Sequence, residues 1–150
     1  MTIVLIEPQI PHNTGAIMRL AACTGSTLFL VGSLGFTLDA KGVKRSAMDY
    51  DEVVQPQHVY SFDDVLAQHP QNTPVFFMSA KAKRSLWEVS FPPECILVFG
   101  SETKGLPAHF VERQGNKSLR IPMVQGVRSQ NLANSVGVVL YEALRQQVPI

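Results

Sequence analysis

No stretch of this chain approaches the roughly 20 apolar residues that a membrane-spanning helix needs. Its opening, Met1-Thr-Ile-Val-Leu-Ile-Glu-Pro8, lacks the basic segment and small-residue cleavage site of a secretion signal. Both absences lead us to expect a cytoplasmic protein without membrane contact. Cysteine is scarce, with two in 150 residues. Cys23 falls inside a helical pattern and Cys95 opens an apolar strand, so the sequence reads both as small buried hydrophobes. Metal-ligand spacing is missing: His12, His58, His69 and His109 are scattered without close Cys or His partners and read as surface or satisfied histidines, so no metal is expected. Nor is there an excess of one charge. With a formal net charge of +1, any attraction to a polyanion has to come from local patches. Two exist, Lys41, Lys44 and Arg45, and Lys81, Lys83 and Arg84; each is also readable as solvated surface.

Two nucleotide motifs are absent as well. Glu7-Pro-Gln-Ile-Pro11 stands where a dinucleotide enzyme carries Gly-x-Gly-x-x-Gly after its first strand. Gly100 and Gly105 have the spacing of a phosphate loop, but Leu106-Pro107 follows where that motif requires Lys and a hydroxyl residue.

What is present is an alternation of short apolar runs with helical periodicity. Strands are expected at 3–6, 27–31, 75–79, 95–99 and 119–121. A helix is expected over 14–24, with Asn13 as N-cap, Ile17, Leu20 and Ala21 on the core side and Gly25 as its stop. Ser61 and Asp64 form a capping box for a second helix, with Pro70 beyond its end. Pro107 suits the first position of a third, and a long last helix carries Leu132, Val136, Val139, Leu140, Ala143 and Leu144. Residues 32–57 read as a long loop with room for a short helix. Hairpin dipeptides are missing between these elements, which argues for one α/β domain over 1–150 with a mostly parallel sheet.

In such sheets ligands bind beyond the carboxyl ends of the strands. Two loops rich in small and polar residues lie there, Gly100-Ser-Glu-Thr-Lys-Gly-Leu-Pro107 and Gln125-Gly-Val-Arg-Ser-Gln-Asn131. Glu102 is either an exposed turn carboxylate or an acceptor for backbone amides or a ligand. Arg128, Ser129, Asn131 and Asn134 crowd at the start of the last helix, where capping explains Ser129 or Asn131 but not the whole group. Arg19 also reads two ways. It is a plain surface arginine, or it leans back over Gly15 toward the loop 8–13, where a guanidinium would meet a phosphate or a ribose hydroxyl.

Together, Asn13-Thr-Gly15 with Arg19, Phe99-Gly-Ser-Glu-Thr-Lys-Gly-Leu-Pro107, and Ile121-Pro-Met with Arg128-Ser-Gln-Asn-Leu132 resemble the SPOUT superfamily of RNA methyltransferases. The opening Glu7-Pro8 run through Gly15 and the ending Val139-Leu-Tyr-Glu-Ala143 are similar to its minimal members, which methylate the wobble ribose of tRNA at cytidine or uridine. The resemblance runs from Ile3 to about Gln146 and is weakest between Gln55 and Trp87. It implies a sheet whose C-terminal segment forms a deep trefoil knot, S-adenosylmethionine as methyl donor, a homodimer, and the tRNA anticodon region as partner. Met78, Gly100, Ile121 and Ser129 would then contact the cofactor, with Glu102 and Asn131 shaping its pocket. Arg19 would act on the 2′-hydroxyl. A guanidinium stays protonated, so orienting the ribose or stabilising negative charge suits it better than accepting a proton. Asn13, Lys41, Lys44, Arg45, Arg128 and Tyr141 would serve the substrate side, Tyr141 being equally readable as a core residue. Two other readings stay open: a ribosomal RNA ribose methylase of the same superfamily, and a non-catalytic RNA- or cofactor-binding protein with this fold.

Overall fold

The computed structural model describes residues 1–148. β1 (Thr2–Ile6) is buried at every position, because a parallel strand covered on both faces has no solvent side and its sequence becomes an unbroken apolar run. β2 (Thr27–Val31) pairs with it in parallel, Thr2 opposite Thr27 through Ile6 opposite Val31. Between them runs α1 (Pro11–Thr24), closed by Gly25 in the left-handed conformation at φ 63°.

α1 starts earlier than the sequence suggests, and Asn13 is not its N-cap. Ile10 holds that position and makes no side-chain cap bond. Pro11 supplies the first helical residue with φ already set and no N–H to satisfy. A short helix does lie within 32–57: α2 (Lys41–Ala47) packs across α1 at Gly15. A Cβ on Gly15 would come within 2.3 Å of the Val43 carbonyl oxygen and 2.7 Å of Ser46 Cβ. Gly15 therefore admits the backbone of α2, rather than opening a path for Arg19.

β3 (Gln57–Val59), α3 (Phe62–Leu66), β4 (Val75–Met78), β5 (Arg84–Ser85) and β6 (Ile96–Phe99) follow. Ser61 caps α3 in the expected box, its hydroxyl accepting from Asp64 N–H while the Asp64 carboxylate accepts from Ser61 N–H. After Pro107 the chain forms a 3-10 turn, Ala108–Phe110, and only then α4 (Val111–Gln114), so Pro107 does not open an α-helix. β7 (Ser118–Arg120) begins one residue before the expected strand, and α5 (Leu132–Arg145) closes the fold.

The sheet order is β3-β2-β1-β6-β4-β7-β5, and the named strand pairings are all parallel. β7 enters between β4 and β5, two strands laid down before it. That late insertion is compatible with the knot that the resemblance implies, against the general rule that chains avoid threading. Alternate strand residues feed two cores. Ile3, Leu5, Leu28, Leu30 and Leu97 face α1, α2 and α5, meeting Ile17, Val43, Val136 and Leu140. Val4, Ile6, Phe29, Phe77 and Val98 face the other way and meet Phe62 and Phe110. Cys95 is buried as expected, and burial pushes its thiol up to about 11. Cys23 is exposed on α1, which corrects its reading as a core residue. A cavity of about 380 Å³ under 66–73 lies at the amino ends of the strands, away from the loops described next.

Candidate active site

β6, β4 and β7 are neighbours in the sheet. Their carboxyl ends therefore set Gly100, Met78 and Ile121 along one edge. Above it the loop 100–107 folds back on itself, with Ser101 and Gly105 exchanging backbone hydrogen bonds of 3.1 and 3.0 Å and Lys104 N–H donating to Ser101 Oγ at 3.3 Å. Glycine is required at its base. A Cβ on Gly100 would lie 2.0 Å from the Gly105 carbonyl carbon and 2.2 Å from Leu106 N.

This turn aims Glu102 across to the start of α1. One carboxylate oxygen accepts from Gln9 N–H at 2.8 Å; the other accepts from Ile10 N–H at 3.0 Å and Asn13 Nδ2 at 3.3 Å. α1 carries no acidic residue in its own first turn, so Glu102 supplies the negative charge that a helix N-terminus favours. Pro8 and Pro11 have no N–H of their own, and the amides between them are left to Glu102. Asn13 is 7% exposed, and its Oδ1 accepts from Asn131 Nδ2 at 3.0 Å. Asn131 Oδ1 in turn accepts from Asn134 N–H at 3.1 Å, capping α5. A single polar relay, Glu102 to Asn13 to Asn131, thus ties the first loop, the start of α1 and the start of α5.

The second loop differs. Residues 122–130 are exposed apart from half-buried Met123, and within them the one backbone–backbone hydrogen bond runs from Val127 N–H to the Val124 carbonyl at 3.4 Å. Gly126 has φ 91° with open space around it. Met78 and Ile121 are half-buried against the main core, while Arg128 and Ser129 are exposed. The residues present suit an adenosyl group joined to a sulfonium: half-buried apolar side chains beside a run of unpaired backbone donors and acceptors.

Arg19 is exposed and does not turn toward 8–13; its guanidinium carbon lies 5.9 Å from the centre of the Tyr50 ring. Lys41, Lys44 and Arg45 are exposed on α2, which packs beside the same helix. Asp39, just before α2, is held below the usual carboxylate range, first by a hydrogen bond from Thr37, then by its own backbone, with Lys44 adding a little. In the other basic cluster Arg84 donates to the Glu88 carbonyl at 3.3 Å. Tyr141 is 53% exposed on α5, so its reading as a core residue is corrected. Three of the four histidines find hydrogen-bond partners, His69 with Thr2 Oγ1 and the Val65 carbonyl, His58 with the Gly32 carbonyl and His12 with Ser46 Oγ, while the His109 ring packs on Phe110. Among the described residues no group of three or more His, Cys, Asp or Glu is placed to hold a metal. The parts that sequence reasoning missed are the Gln9 and Ile10 amides and the Tyr50 ring, the first signalled only by the two flanking prolines.

The SpoU rRNA Methylase family matches residues 1–141. The chain belongs to that family. Within the SpoU methylases it is similar to the tRNA (cytidine(34)-2′-O)-methyltransferases of Yersinia pestis, at 40% identity over 97% of this chain and 93% of the relative, and of Polaromonas sp., at 43% over 96% and 89%. A solved structure described for the 2-OH methylation of C/U34 on tRNA superposes with a TM-score of 0.91 and 41% identity, covering 97% of this chain and 95% of that one. The SpoU methyltransferase AviRb of Streptomyces viridochromogenes, solved with AdoMet, superposes with a TM-score of 0.85 at 27% identity, covering 98% of this chain but 57% of its own. Among the described residues no helix is long and apolar enough to cross a membrane.

Proposed function

We propose that this protein transfers a methyl group from S-adenosylmethionine to the 2′-hydroxyl of the wobble ribose of tRNA. The observation that carries the reading is the similarity, at 40–43% identity over 96–97% of the chain, to relatives named for cytidine 34 2′-O-methylation. It acts as a single SPOUT domain over 1–150, as a homodimer in the cytoplasm, on the anticodon region. Exposed apolar side chains on the site loops and at the start of α1, Ile10, Val124 and Val127, support a second copy meeting the first there.

Met78, Gly100, Ile121 and Ser129 would hold the cofactor, largely through backbone atoms, with Glu102 and Asn131 fixing the loops around it. When bound, the cofactor supplies a methyl group already activated by its sulfonium. Glu102 keeps the start of α1 in register with the cofactor loops, so Arg19 two turns on faces a fixed point. Arg19 leaves the Tyr50 ring to hold and polarise the ribose hydroxyl. Bringing that oxygen into line is the main contribution asked of the protein, since orientation alone can lower a barrier by about 7–11 kcal/mol in the best intramolecular cases. Asn13 acts behind it through the relay. Lys41, Lys44, Arg45 and Arg128 would meet phosphates, and Tyr141 the substrate from the last helix.

A ribosomal RNA ribose is the second reading, favoured by the family's name. Nucleoside mass spectrometry of RNA from a strain lacking the protein separates the two. We expect one 2′-O-methyl group to vanish from tRNA at the wobble nucleotide. Intact tRNA with one such group lost from ribosomal RNA would overturn the proposal in favour of the second reading.

A further inference from the structure

On the face of the sheet covered by α3 and α4, the carboxyl ends of β1, β2 and β3 open into a groove of about 300 Å³. Its polar lining is Glu7, Tyr60, Ser61, Asp63, His109 and Arg113, and the function proposed above uses none of them. The groove adjoins the site. Glu7 comes two residues before Gln9, whose amide Glu102 holds, and His109 comes two residues after the loop 100–107 ends.

Three features say what fits. Tyr60 is 93% exposed, so a ring face is open to a flat partner. Glu7 has φ 50°, a conformation that residues other than glycine rarely adopt. It is kept there by its N–H bond to the Val31 carbonyl at 2.8 Å, while Gly32, at φ 79°, leaves space in which a Cβ would come 3.1 Å from Glu7 Cγ. The Glu7 carboxylate has no hydrogen-bond partner among the described residues and can only accept. Finally, Arg113 is bound to Asp63 at 2.9 Å and lies over the Phe62 ring. That cation is occupied, and with Glu7 beside it the groove repels a phosphate.

We propose that this groove reads a base: one unpaired nucleobase bearing an exocyclic amino group, from the RNA held at the neighbouring site, stacks on Tyr60 and donates to the Glu7 carboxylate. Acidic side chains accept from such amino groups, and aromatic stacking holds unpaired bases. A volume of about 300 Å³ is at the small end for ligand sites, which suits one heterocycle. The proposal rests on the RNA substrate proposed above.

The test is a cycle between protein and RNA, using the full chain and anticodon stem–loops in which each unpaired nucleotide is made abasic in turn. Tyr60→Ala should raise the RNA KM about tenfold, in the range of one lost base stack, with the S-adenosylmethionine Kd unchanged and Tyr60→Phe like wild type. With one particular abasic RNA, wild type and Tyr60→Ala should become equal. On the intact RNA, replacing that base by its analogue without the amino group should penalise wild type but not Glu7→Ala. An unchanged KM for Tyr60→Ala, or an equal penalty on every abasic RNA, would overturn the groove while leaving the methylation intact. No methylation of either the stem–loops or full-length tRNA by wild type would instead overturn the parent function, and the groove with it.

Discussion

The loop after β6 closes through two Ser101–Gly105 backbone hydrogen bonds and hands Glu102 to three donors, whereas residues 122–130 after β7 share one backbone hydrogen bond of 3.4 Å. Both loops sit over carboxyl ends of strands on either side of β4 and both are rich in small and polar residues, so composition would have predicted similar parts. Their chemistry is divided. The first is a brace whose hydrogen-bonding capacity is used within the protein, and the second leaves its amides and carbonyls to whatever lies against it. The Glu102–Asn13–Asn131 relay joins brace to cradle, holding the open loop only where it enters α5.

Substitutions at matching points of the two loops should sharpen this contrast. Gly100→Ala should cost most, at least about 3 kcal/mol of stability in urea unfolding, because the new methyl meets backbone that cannot move aside. Glu102→Gln comes next. It leaves one carbonyl oxygen for three donors, and we expect a loss of about 2 kcal/mol, the scale of hydrogen bonds to a charged group. Asn131→Ala removes a helix cap and one partner of buried Asn13, for about 1–2 kcal/mol. Gly126→Ala should cost least, about 1 kcal/mol, since only its positive φ resists and nothing lies within 4 Å. The contrast fails if Gly126→Ala proves as damaging as Gly100→Ala.

The same contrast explains which parts of the molecule were legible in the sequence. Strands buried on both faces announced themselves as apolar runs, and Gly25 and the Ser61 box marked their helix ends by local chemistry. β3 and β5 did not. Gln57 and His58 are exposed on an edge strand, and β5 is two residues long, so neither carries an apolar pattern. The start of α1 is not legible locally because its acceptor is Glu102, some ninety residues away, and no local signal reports a cap delivered from another loop. The missing side chain of Gly15 is legible, but what fills the space is α2, visible only once the chain has folded. Glu102, a carboxylate in a turn between two glycines, reads from sequence either as exposed or as an acceptor, and the structure makes it an acceptor; Arg19 reads two ways as well, and its contact is with an aromatic ring. The Tyr50 contact left no trace in spacing at all.

The central claim is that these parts serve methyl transfer to one ribose, with Arg19 orienting its hydroxyl. Incubating the purified protein and its Arg19→Lys variant with labelled S-adenosylmethionine and tRNA, then mapping the label by nuclease digestion and mass spectrometry, tests it most directly. The account predicts label on the 2′-oxygen of the wobble nucleotide for wild type. For Arg19→Lys it predicts unchanged cofactor affinity with transfer reduced at least about a hundredfold, the scale of a lost orienting contact. Undiminished turnover by Arg19→Lys, or label on a base or at another nucleotide, would contradict it.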